Sequence, residues 1–417
     1  MIAADFVIRN TRQVITCAGP APRSGAAQHD VAPLANGVVA SRRGRIVFVG
    51  TASDAEALLD VDATAVVVDA GGGTVMPGFV DPHTHVIYGG DRREELRQRL
   101  AGATYAEIAA SGGGILSTVR ATREATENDL VDSAKCRLAE MLRCGTTTAE
   151  AKSGYGLETA AELKMLRAIR RLSASQPIEL VPTFLGAHEI PVEYRDRRQE
   201  YVDLLVREMI PTVAAQHLAK WCDVFCEVGV FTPAESRAIL EAGTAAGLRP
   251  RIHADELAAS GGSDVAAEVG ARSADHLLFV QPASADRMAR SGVVATLLPA
   301  AAFYLKLGAY APARMLIEHG VPVALATDLN PGGGFTPSMP FVITLACFGM
   351  KMTLEEALVA ATLNAAYAID RDRDVGSLEA GKQLDAVVVD GDAIDLIRVG
   401  ARAITAVVKN GVVVSTS

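Results

Sequence analysis

Two histidines stand one residue apart in Pro77-Gly78-Phe79-Val80-Asp81-Pro82-His83-Thr84-His85, at the end of a short apolar run. In extended chain the side chains at i and i+2 share a face, so His83 and His85 can address one metal ion. Two neutral histidines on a surface loop would look the same, and spacing alone leaves both readings open. Three further histidines change the balance by where they stand. His188, His253 and His276 each lie at or just beyond the end of an apolar run, in Leu185-Gly186-Ala187-His188-Glu189, Arg251-Ile252-His253-Ala254-Asp255-Glu256 and Ala274-Asp275-His276, and a last run ends in Ala326-Thr327-Asp328. The chain has only eight histidines. Five of them and an aspartate at corresponding positions form a pattern, whereas His29, His217 and His319 stand elsewhere and read as exposed or capping residues.

The elements that must position these groups alternate short apolar strands with amphipathic helical stretches. Candidate strands cover 75–80, 146–149, 179–184, 222–226, 249–253, 273–278, 293–298 and 321–326, with helical spacing at 158–172, 232–246 and 283–290 among the connections. Eight such units predict a closed parallel (β/α)₈ TIM barrel, in which strand ends on one face converge on a single cavity. A doubly wound open sheet is the alternative, but it calls for a glycine-rich phosphate turn after the first strand, and none follows Val80. Residues 1–70 and 375–417 carry short β-branched runs broken by turns, with Asn410-Gly411 reading as a two-residue hairpin turn. Neither end has enough strands alone, so the two together predict one small β-sandwich beside a barrel of residues 71–374.

The composition fits a large globular enzyme and excludes several other classes. Of 417 residues 49% are hydrophobic and 21% charged, which rules out low-hydrophobicity disorder. Forty basic against 49 acidic residues give a net charge of −9, and no run of Lys and Arg offers a phosphate-tracking surface, so nucleic acid is not an expected partner. The uncharged stretch after Asp328 contains Pro331, Pro337, Pro340 and the run Gly332-Gly333-Gly334, which excludes a membrane span. Six scattered cysteines suit reduced thiols, and MIAADFVIRN lacks a secretory pattern, so a cytoplasmic location is expected. Cys222 and Cys226, the one close pair, lie in an apolar run over 221–231 that reads as a buried strand.

The motifs around His83, His253 with Glu256, His276 and Asp328, with the C-terminal segment Val375-Gly376-Ser377-Leu378-Glu379-Ala380-Gly381, resemble the amidohydrolase superfamily. Within it, Tyr88-Gly89-Gly90-Asp91-Arg92, Ser111-Gly112-Gly113-Gly114-Ile115, Lys152-Ser153-Gly154-Tyr155-Gly156-Leu157, Gly186-Ala187-His188-Glu189 and Asp328-Leu329-Asn330-Pro331-Gly332 resemble the imidazolonepropionase family, over essentially the whole chain. The resemblance implies one divalent metal, Zn²⁺ or iron, held by His83, His85, His253 and Asp328. The fourth predicted strand has no lysine for the carbamate bridge of binuclear relatives. It implies hydrolysis of the cyclic amide of 4-imidazolone-5-propanoate, with Asp328 moving the proton, Glu256 binding substrate or water, and His276 polarising the carbonyl. Arg92 would clamp the propionate, with Tyr105, Tyr155 and His188 beside it and Asn330, Gly332 and Gly333 at the product-like end. Gly333 departs from the family, which commonly has a hydroxyl residue there, so a backbone N–H would take its place. The glycine run 112–114 would act as a lid, and the family implies a homodimer. Arg92 also reads as a solvated member of the charged run Asp91-Arg92-Arg93-Glu94-Glu95, and Glu256 as a first-turn helix acid. A deaminase of an amino-heterocycle and a non-catalytic barrel scaffold are the competing functions.

Overall fold

The computed structural model describes residues 1–103, 107–108 and 112–416. Eight parallel strands follow one another in sequence order around the barrel: Phe79–Asp81, Thr146–Lys152, Glu179–Ala187, Trp221–Cys226, Ile252–Ala254, Ser273–His276, Val294–Leu297 and Val323–Leu325. The first and last strands meet through other contacts. The Asp81 carboxylate accepts from the backbone N–H (3.1 Å) and hydroxyl (2.5 Å) of Thr327, and Asp328 N–H donates to His83 O at 3.2 Å. Burial pushes the Asp81 carboxyl up to about 7, with the Thr327 hydrogen bonds opposing it.

The predicted strand over 75–80 is two strands serving two sheets. Thr74–Pro77 pairs with Ala386–Val389 and Gln13–Ile15, and Phe79–Asp81 enters the barrel. Pro77 has no N–H to continue a ladder and Gly78 packs against Thr147 where a Cβ would stand 2.5 Å from its side chain, so the chain changes sheets there. The strand over 249–253 is likewise broken into Arg249–Pro250 and Ile252–Ala254, and the run after Cys226 turns instead of extending to Phe231.

The chain ends form two sheets, one of four strands with Ile2–Arg9 and Leu59–Asp69 paired in parallel, the other of six ending in the hairpin Ile404–Lys409 and Val412–Thr416. Phe6, Ile8, Val39 and Ile46 from the first sheet and Val14, Val75, Val388 and Val408 from the second share one buried cluster, the core of the sandwich. Asn410 (φ 50°) and Gly411 (φ 73°) make the predicted tight turn, both in the left-handed region that such a turn requires.

The crossover helices begin where the sequence supplies caps. Pro233–Ala245 starts after Thr232, whose hydroxyl accepts from Glu235 N while Glu235 returns the bond, and Pro233 occupies the first turn. Thr159–Ser173 buries Leu163, Leu166, Ile169 and Leu172, an i, i+3 stripe laid against the barrel. Cys222 and Cys226 are buried, unpaired core residues.

Candidate active site

The strand ends bring the expected histidines together. Ring nitrogens of His83, His85 and His253 lie within 4.8 Å of one another, all buried. Asp328 stands beside them, its Oδ1 3.6 Å from His83 Nε2 and 3.5 Å from His85 Nε2. His83 Nε2 and Asp328 Oδ1 are buried without a hydrogen-bond partner. Desolvated lone pairs facing each other are costly unless a cation takes them, and three imidazoles with a carboxylate are a tetrahedral ligand set. The residues therefore fit a divalent metal ion.

The candidate ligands are held by a layer of buried charge beneath them. His83 Nδ1 lies 2.6 Å from Asp275 Oδ2, which also accepts from Arg251 Nη2 at 3.0 Å, and Arg251 donates on to Pro82 O at 2.7 Å. His253 Nδ1 lies 3.1 Å from Asp223 Oδ1, whose Oδ2 accepts from Lys152 Nζ at 2.8 Å; Lys152 donates a second bond to Glu150 at 2.9 Å. A carboxylate on Nδ1 fixes the tautomer that presents Nε2 to a metal. Burial alone would raise Asp223, but His253 and Lys152 outweigh it and hold the carboxyl well below the usual range. Lys152 is engaged as an ammonium between two carboxylates, a setting opposed to the neutral amine that carbamate formation needs.

Above the ligands lies a cavity of about 390 Å³ bounded by His85, Arg92, Tyr155, His188, Glu256, His276, Asp328, Asn330, Gly332 and Gly333 among others. His188 stacks on His85 with ring centroids 4.8 Å apart, its Nδ1 at 2.9 Å from Gly154 O. Tyr155 stands 5.2 Å from His188 by ring centroid, on a loop whose Gly154, Gly156 and Leu157 N–H groups all donate to Glu162. Glu256 lies outside any helix, in a bend where Glu227 accepts the N–H groups of Glu256 and Leu257, so a helix-dipole role does not apply to it. Glu256 Oε1 is 3.5 Å from His276 Nδ1. Burial, with Asp328 and Glu227 nearby, drives the Glu256 carboxyl well above its ordinary range, and burial beside His253 keeps His276 neutral. His276 and Asp328 both sit at positive φ, 78° and 52°, a backbone state that non-glycine residues adopt at some cost and that here turns each side chain over the strand end.

Arg92 is buried, not solvated: Nε and Nη2 donate to Glu95 Oε2 at 2.8 and 2.7 Å, and only 8% of the residue is exposed. Asn330 is used inside its own loop, its Oδ1 accepting from Gly332 N and Gly333 N and its Nδ2 donating to Asp328 O. The Gly333 N–H expected to meet substrate is thus bonded to Asn330. Tyr105 lies outside the described residues. His29 and His217 are exposed, and His319 pairs with Asp286 at 2.6 Å. Sequence reasoning assigned no role to Asp223, Lys152, Glu150, Arg251, Glu95 or Arg99; ionisable residues inside runs of strand character were the available signal for the first four.

The amidohydrolase family model matches residues 74–416. Among solved structures, an adenosine deaminase from Xanthomonas campestris with bound zinc superposes with TM-score 0.72 at 19% identity over 99% of this chain and 93% of that one, and Escherichia coli guanine deaminase with TM-score 0.75 at 16% identity over 99% of both; at these identities they show the shared fold. Curated imidazolonepropionases are far more similar in sequence: that of Alkaliphilus metalliredigens is 47% identical, covering 98% of this chain and 97% of its own, and that of Symbiobacterium thermophilum 50% identical, covering 93% and 92%. A third, from Geobacillus thermodenitrificans, is 51% identical over 91% of this chain and 90% of its own. With its catalytic-face histidines gathered on a barrel of this family and near-full-length likeness at about half identity, the chain belongs to the amidohydrolase family and, within it, to the imidazolonepropionases.

Proposed function

We propose that this chain hydrolyses the ring amide of 4-imidazolone-5-propanoate to N-formimidoyl-L-glutamate. The observation that carries the reading beyond family likeness is one cavity lined at its floor by His85, His253 and Asp328 and at its side by buried Arg92. The floor serves an amide; the arginine serves a carboxylate on the same small molecule.

His83, His85, His253 and Asp328 would hold the ion, with zinc or iron(II) the choice that imidazole and carboxylate donors favour. When bound, it supplies a Lewis acid and lowers the pKa of water toward ~7. Asp328 accepts the proton as the water oxygen bonds to the ring carbonyl carbon, and returns it to the ring nitrogen as the C–N bond breaks, which balances the hydrolysis. Burial pushes the Asp328 carboxyl up to about 8, against the pull of Asn330 and Lys152, and a neighbouring cation favours its ionised form. His276 donates to the developing oxyanion, and Glu256, whose carboxyl burial drives well above its ordinary range, hydrogen-bonds the substrate or water. His188 and Tyr155 face the ring, Arg92 with Tyr105 takes the carboxylate, and Asn330 shapes the loop that carries Gly332 and Gly333. Residues 71–374 act as the catalytic domain, and a cytoplasmic homodimer completes the reading, supported by the family likeness and by free cysteines.

A deaminase acting on an amino-heterocycle would share the metal floor but has no use for Arg92. The test is ultraviolet loss of freshly generated imidazolone propanoate with metal-loaded protein. Turnover supports the assignment. Metal-loaded protein that leaves this substrate untouched, and releases ammonia from amino-heterocycles, overturns it in favour of the deaminase.

A further inference from the structure

We propose that Glu95 is a positioning residue for recognition of the substrate carboxylate, a role that rests on the ring-amide reading above. The run Asp91–Glu95 divides by direction: Arg93 and Glu94 leave 80% and 68% of their side chains exposed, whereas Arg92 and Glu95 leave only 8% and 10%, Arg92 lining the cavity and Glu95 buried behind it. One carboxylate oxygen, Oε2, takes both Nε and Nη2 of Arg92, which fixes one edge of the guanidinium and leaves Nη1 for another partner.

The opposite edge is also fixed. A Cβ on Gly332 would stand 2.0 Å from Arg92 Nη1, so the guanidinium lies directly against that backbone and cannot move toward it. Arg99, on the same helix Arg93–Leu100, holds this backbone in place by donating to Gly332 O at 2.9 Å and to Tyr304 O at 3.1 Å. The second oxygen of Glu95 is not idle. Oε1 accepts Gly114 N at 2.9 Å and stands 3.5 Å from Ser117 Oγ, at the start of the helix Ile115–Glu124. A Cβ at Gly113 would come within 2.9 Å of that same oxygen. Glu95 therefore joins the carboxylate clamp to the glycine run, and the guanidinium meets its ligand already oriented. A donor fork held in place loses less freedom on binding than one that must first be ordered.

The test compares the metal-loaded wild type with Glu95→Ala and Glu95→Gln. Glu95→Ala is expected to raise KM for imidazolone propanoate by roughly tenfold or more while kcat stays within about threefold, because the clamp binds substrate and transition state alike. Inhibition by 3-(imidazol-4-yl)propanoate should weaken by a similar factor, while inhibition by its uncharged primary amide stays unchanged. Added to Arg92→Ala, Glu95→Ala should cost little more, since both remove one interaction. Glu95→Gln retains a single acceptor oxygen and should fall between; it carries the test if the alanine variant does not fold. Equal losses for the anion and the amide would make Glu95 a general support of the fold and overturn the proposal, as would an unchanged or lowered KM. Should the wild type fail to turn over the imidazolone, the ring-amide reading falls, and selective loss of the anionic inhibitor still decides the case of Glu95.

Discussion

Asp223→Asn separates what the buried charge layer does for the metal from what it does for the fold. The carboxylate has two buried partners, His253 Nδ1 at 3.1 Å and Lys152 Nζ at 2.8 Å. Toward His253, an amide weakens the hold on the tautomer and lowers the ring's basicity, and loss of such a partner costs about 10- to 100-fold in metal affinity, or ~1.4 to 2.7 kcal/mol. Toward Lys152, one of two charged hydrogen bonds disappears, a loss of ~1.5 to 3 kcal/mol; breaking a buried pair outright costs ~3 to 5 kcal/mol, and the remaining bond to Glu150 at 2.9 Å keeps the ammonium from that limit. The two effects are read separately: competition against a chromophoric chelator gives metal affinity, and thermal unfolding of the metal-free protein gives the fold. Both should fall, the affinity by at least tenfold and Tm by several degrees, on the order of 2 °C for each kcal/mol in a chain of this size. Metal affinity within twofold of wild type, with Tm lowered, would refute the orienting role and leave Asp223 as the counter-ion of Lys152 alone.

Asp328→Asn should reduce turnover far more than metal content measured by atomic absorption, because an amide still coordinates weakly but accepts no proton; near-normal turnover would remove the proton-transfer assignment. Gly332→Ala should raise KM by roughly tenfold or more and lower Tm by several degrees, since the added methyl would stand 2.0 Å from Nη1 and must push the buried Arg92 guanidinium off Glu95, while the backbone there is not in the left-handed region; an unchanged KM would show that the guanidinium relocates without loss of substrate binding. Glu235, lowered to about 2 chiefly by the hydrogen bond from Arg198, stabilises the fold in its ionised form, fully above its ordinary value near 4.5 and less as pH falls toward 2. The Tm difference between wild type and Glu235→Gln should accordingly be constant from pH 6 to 8 and shrink below pH ~4.5, and a difference that grows on acidification would contradict the linkage.

The gathering of His83, His85 and His253 is legible because histidine is rare in this chain and strand ends are marked by apolar runs, so position and residue type reinforce one another. The layer beneath is not. Asp223 and Lys152 lie 71 residues apart in sequence, and only the barrel's curvature makes them neighbours. Arg92 shows the same limit at shorter range: five charged residues in a row carry no mark of which face inward, and the answer depends on how the chain approaches Gly332. The break in the strand over 75–80 is hidden for a different reason, since continuous apolar character masks a change of sheet that Pro77 and Gly78 announce only once the partners are known. Asn330 was expected at the ligand, but its amide satisfies the loop's own N–H groups first.

The seam of the barrel has a consequence for when the site comes into being. His83 and His85 stand just past the first strand and Asp328 just past the last, and the two strands are stitched by Asp81, Thr327 and the bond from Asp328 N–H to His83 O. An ion held by these residues would be a rivet across the junction that, among the described residues, the strand ladder leaves open. During synthesis the amino-terminal half of the ligand set therefore emerges long before its counterpart, and a chain still on the ribosome offers at most a loose, partial chelate. Loading would be a late event in biogenesis, coupled to closure of the ring, and escape of the ion would coincide with parting of the seam, measurable as faster amide exchange in the first and last strands of metal-depleted protein.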